Sequence, residues 1–98
     1  MNKYIELCDR IKLNENEIFT TKNGIKFTYI VEKNSIRPCH VKNGEKIPIN
    51  RLIGLSDIAY AYLNCDKILK PSDISKINSA TQGQSYVFGI IKDHRIAR

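Results

Sequence analysis

Ninety-eight residues with a 42% hydrophobic and 27% charged share have the make-up of one folded domain, which excludes a disordered chain because apolar residues recur throughout. No apolar run approaches the ~20 residues of a membrane span, and the opening MNKYIELCDR carries acids and no apolar stretch, so neither a membrane protein nor a secretory leader is expected and the setting read is cytoplasmic. The net charge of +6 points toward a polyanionic partner.

Asn2 to Ile11 reads as a helix, with Tyr4, Leu7, Cys8 and Ile11 at i, i+3, i+4, i+7 spacing. Residues 17–32 read as a hairpin about Asn23-Gly24, since an Asn-Gly pair between β-prone runs suits a two-residue type I′ loop. That loop would pair Thr20 with Phe27 and Ile18 with Tyr29, placing Ile18, Ile25, Phe27, Tyr29 and Val31 on one face. Residues 36–49 repeat the pattern about Asn43-Gly44, with Lys42 facing Glu45 and with Pro38 and Pro48 suited to sheet edges or bulges. Ser56, Ser72 and Ser85 each stand where a helix N-cap belongs, and Leu55 is placed to staple onto Tyr60. The expected fold is a single α+β domain spanning 1–98. It has a small antiparallel sheet of two β-hairpins (17–22, 25–32, 36–42, 45–49) and about four short helices (2–11, 57–64, 73–79, 85–93), the last two arranged helix-turn-helix-like. Leu7, Ile18, Phe27, Tyr29, Val31, Ile58, Leu63, Ile74, Val87 and Ile90 are its expected core.

Charge is unevenly spread. Residues 1–32 balance, residues 33–51 carry Lys33, Arg37, Lys42, Lys46 and Arg51 against Glu45, and residues 67–98 carry six bases against two acids. Brought together, the two segments would form a basic face; on opposite sides they would merely aid solubility.

Ser72 to Arg95 resembles a bacterial helix-turn-helix segment. Ser75 stands for the small residue of the first helix, Gly83 for the turn glycine, and Val87 and Ile90 for the apolar positions of the second helix. The resemblance implies duplex DNA, or another nucleic acid, as partner. In that arrangement Gln82, Gln84, Ser85 and Tyr86 approach bases while Arg37, Lys42, Lys46, Lys92, Arg95 and Arg98 hold phosphates. The same outline fits any two packed helices.

Catalysis is not expected. No nucleophile elbow, His-Glu-x-x-His helix or phosphate loop is present. The only histidines are His40 and His94, and a Cys–His couple would need partners meeting in space. Cys8, Cys39 and Cys65 are odd in number and lack metal-ligand spacing, so free thiols, no metal and no cofactor are expected. A second class remains open. A small basic chain rich in Lys, Asn and Ile also suits a phage or mobile-element accessory protein that binds and inhibits a host defence protein, of the anti-CRISPR or anti-restriction type. Phe19, Tyr29, Tyr60, Tyr62 and Tyr86 would then matter most if exposed in one patch.

Overall fold

The computed structural model describes residues 3–78 and 83–97. In chain order these form α1 (Lys3–Leu13), β1 (Phe19–Thr20), β2 (Lys26–Glu32), β3 (Ser35–Lys42), β4 (Glu45–Pro48), β5 (Ile53–Gly54), α2 (Leu55–Leu63), a 3-10 turn (Cys65–Lys67), α3 (Ser72–Ile77) and α4 (Gln84–Ile91). The strands run antiparallel in the order β1-β2-β3-β4, and β5 pairs with the start of β3 through Ile36 and Ile53. The architecture is the α+β arrangement expected from sequence, with β5 added. Two residues are too few to show an alternation, so β5 left no periodic signal.

The second hairpin forms in the predicted register. Asn43 (φ 51) and Gly44 (φ 79) both take positive φ, and Lys42 faces Glu45. A methyl group at Gly44 would meet nothing within 4 Å, so Gly44→Ala isolates the backbone cost of a left-handed L-residue, about 1 kcal/mol. A urea midpoint lowered by that energy divided by the denaturation slope, with the slope itself unchanged, is the expected result.

The first hairpin departs from the predicted register by one residue: Phe19 faces Phe27 and Thr20 faces Lys26. Its loop holds three residues, Lys22-Asn23-Gly24. Thr21 N–H donates to the Ile25 carbonyl (2.9 Å) and Gly24 N–H donates to the Thr21 carbonyl (3.0 Å). Gly24 has positive φ and Asn23 does not, the pattern of a type I turn closed by a glycine bulge rather than type I′. The Thr21 hydroxyl accepts the Ile25 N–H at 3.1 Å, a local bond the two-residue loop lacks. A one-residue slip exchanges the faces of the strand. Phe19 is therefore buried (1% exposed), while Ile18 is 44% exposed and drops out of the expected core.

Phe27, Tyr29 and Ile36 line the inner face of the sheet and pack with Leu7 and Ile11 of α1, Ile58 of α2, and Val87 and Ile90 of α4. The Tyr29 hydroxyl donates to the Ile11 carbonyl at 2.6 Å, fixing α1 to the sheet, and burial pushes the Tyr29 phenol pKa well up. The outer face is partly covered too: Thr28 and Cys39, paired across β2 and β3, are both buried. The Thr28 hydroxyl donates to the Glu17 carbonyl (2.6 Å), and the Lys46 ammonium donates to Asn16 Oδ1.

Helix starts differ from the expected caps. The N-cap positions are Gly54, Pro71 and Gly83, none with a side-chain hydrogen bond, and the three serines lie one or two residues inside. In α2 the chain passes straight from β5, with Leu55 N–H donating to the Asn34 carbonyl (2.8 Å). Leu55 is buried and Tyr60 exposed, so the staple does not form. Ahead of α3 the Asp73 carboxylate accepts the Leu69 and Lys70 N–H groups at 2.9 and 3.2 Å, tying the preceding loop back to the first turn of the helix. Like Ile18, Leu63 (57% exposed) falls outside the expected core and Val31 is half-buried; the remaining seven expected core residues are buried, joined by Ile53, Ile68, Ile91 and Ile96. No described helix is long and apolar enough to cross a membrane.

Candidate functional site

A groove of about 560 Å³ opens where the β1–β2 turn, β3, the segment after β4 and the start of α4 converge. Its centre is the pair His40 and Tyr86. His40 faces Phe27 on one side and Ile47 on the other across the sheet, so its ring shares the inner face with the core aromatics. Tyr86 and Phe27 form a T-shaped ring pair (5.1 Å between centroids, 72° between planes). Its hydroxyl and His40 Nε2 share a 2.9 Å hydrogen bond whose direction follows the imidazole tautomer. Thr21, Asn23 and Ile25 form one wall; Arg51, Gly83, Gln84 and Ser85 complete the rim. Among the described lining residues Arg51 is the one permanent cation and none is acidic. The first turn of α4 also lacks an acidic residue, so its positive helix end is uncompensated there.

Three of the sequence-predicted site residues meet here: Gln84, Ser85 and Tyr86. Lys42 is exposed at the tip of the β3–β4 hairpin, and Lys46 is bound to Asn16. The guanidinium of Arg37 donates to Glu32 at 2.6 and 3.3 Å and to the Ile49 carbonyl at 3.0 Å. Lys92 donates to the Cys65 carbonyl (2.7 Å). Lys92 and Arg95 line a separate cleft between β1 and the far end of α4. Gln82 and Arg98 lie outside the described residues. Sequence reasoning missed Thr21, Asn23, Ile25, His40 and Arg51 as one set. The only signals were the excess charge of 33–51 and the single histidine of β3.

Arg95 is a structural clamp. It donates to Asp93 at 2.8 and 2.9 Å and to the Ile18 carbonyl at 2.7 Å, and its guanidinium lies 4.2 Å from the Phe19 ring centroid. Hydrogen bonds from the Arg95 side chain, opposed by burial, hold the Asp93 carboxyl below the usual carboxylate range. A depressed folded-state pKa stabilises fully above the unfolded value of ~3.9 and loses that contribution as pH falls through the folded value. Asp93→Asn is therefore expected to lower Tm at neutral pH, and the deficit should vanish once acid has protonated Asp93 in the parent protein. Melting curves across roughly pH 2–7 check this; a deficit constant with pH would assign the effect to shape and not to charge.

Cys39 is buried, its thiol pKa pushed up mainly by burial, and as the neighbour of His40 along β3 it points to the opposite face. The His94 side chain is 91% exposed. The three cysteines are free, and among the described residues no three His, Cys, Asp or Glu side chains group as metal ligands do. The aromatic residues named for a protein partner are also divided: Phe19 and Tyr29 are buried, Tyr62 and Tyr86 half-buried, and Tyr60 exposed. No protein-family model, curated protein or solved structure matches this chain.

Proposed function

We propose that this protein binds nucleic acid without catalysis, using the groove around His40 and Tyr86 as its contact surface. The observation that carries the reading is the His40–Tyr86 hydrogen bond, which joins the basic segment 33–51 to the basic segment 67–98 at one site. Around it, Arg51 supplies a phosphate contact, while the amides of Asn23 and Gln84 and the hydroxyl of Ser85 supply donors and acceptors for base edges or sugar. A groove with no acid among its described lining residues does not repel a polyanion.

Binding to DNA is expected to weaken with salt, by about one unit of log–log slope for each phosphate contact, because such contacts release counterions. Arg51→Ala should reduce the slope of log K against log salt by about one unit. Arg37→Ala should leave that slope nearly unchanged, since Arg37 is already held by Glu32 and the Ile49 carbonyl. Gel retardation or fluorescence anisotropy over a salt series measures both. Absence of any retardation at low salt would end this reading.

A further inference from the structure

We infer that the groove takes one unpaired nucleotide, so that the preferred partner is single-stranded nucleic acid; this rests on the nucleic-acid reading above. A helix that reads duplex DNA lies in the major groove and must present several side chains along an exposed face. Helix α4 has no such face. Val87, Gly89, Ile90 and Ile91 are buried, and Ser85 is the one exposed position between Gln84 and Ile91. The base must come to the helix start, because the helix cannot enter the duplex.

The groove has the parts that such a base requires. Its volume of about 560 Å³ lies within the usual range for a small-molecule pocket, about 300–1,000 Å³, and is far too small for a duplex. Tyr86 and Ile25 give an apolar wall, and His40 adds a second ring 6.3 Å from that of Tyr86. The carboxamides of Asn23 and Gln84 carry both donors and acceptors, which matches the mixed edge of a base. Arg51 is placed to hold the flanking phosphate. A cation combined with aromatic surface is how proteins hold single strands, and each seated base contributes about 1–3 kcal/mol.

The test compares four labelled oligonucleotides by fluorescence anisotropy at low salt: a mixed-sequence single strand of DNA, its RNA counterpart, the matching duplex, and the DNA strand with abasic sites. Expected are at least about tenfold tighter binding of a single strand than of the duplex, and a loss of roughly five- to 150-fold in the abasic strand, which keeps its phosphates. Gln84→Ala should weaken single-strand binding with an unchanged melting curve. Equal binding of the abasic and intact strands, or of duplex and single strand, would overturn this inference and leave the nucleic-acid reading standing. No binding to any of the four would overturn both.

Discussion

Replacing Phe27 with alanine is expected to destabilise the protein by about 3–5 kcal/mol. Phe27 is fully buried and stands at the meeting point of three elements. Its ring lies 6.0 Å from that of Phe19 in β1 and 5.1 Å from that of Tyr86 in α4. Truncation removes a large apolar surface and leaves a cavity that the paired strands β1, β2 and β3 cannot collapse without breaking their register. A domain of this size has only about 5–15 kcal/mol in total, so Tm should fall by well over ~10 °C. The groove should suffer as well, because Tyr86 loses the ring it packs against. Urea denaturation followed by circular dichroism measures the loss. An unchanged midpoint would remove Phe27 from the core.

How much of this was legible in the sequence is shown by the two Asn-Gly turns. At Asn43-Gly44 both residues take positive φ, and the hairpin closes as the dipeptide predicts. At Asn23-Gly24 the dipeptide still marks the turn, but Thr21 captures the Ile25 N–H and lengthens the loop by one residue. That slip trades Ile18 for Phe19 in the core and creates the seat for Arg95. Local chemistry located the turn, while burial of the larger ring agrees with the register adopted. The helices were placed by their apolar spacing, which survives an error in the cap. The caps themselves depended on what precedes each helix: a strand before α2, the reach of Asp73 before α3. The groove was least legible. Its central bond joins positions 46 apart in sequence, and no periodicity or motif relates His40 to Tyr86. Likewise the charges of Arg37 and Arg95 were visible, but their carboxylate partners became clear only in three dimensions.

Gly89→Ala should destabilise the protein by about 1–3 kcal/mol, against the sign expected for a helix glycine. In an exposed helix interior the same change gains about 1 kcal/mol, because alanine restricts the unfolded chain and favours the helix. Here α4 lies directly on β1. A methyl group at Gly89 would sit 2.7 Å from the Thr20 carbonyl oxygen and 3.0 and 3.2 Å from two carbons of the Phe27 ring. Neither neighbour gives easily: Thr20 is held in the sheet opposite Lys26, and Phe27 is enclosed on all sides. The helix must therefore lift from the sheet, and the packing lost outweighs the propensity gained. Tyr86 lies one turn earlier on the same face of α4, so lifting the helix also draws its hydroxyl away from His40 and widens the groove. On the proposed nucleic-acid reading, affinity for an oligonucleotide should then fall further than stability alone explains, since most molecules remain folded at working temperature. Urea titration and anisotropy on the same samples separate the two effects. A more stable Gly89→Ala protein would mean that α4 rides higher above β1 than these distances place it, and the groove would need redrawing with it.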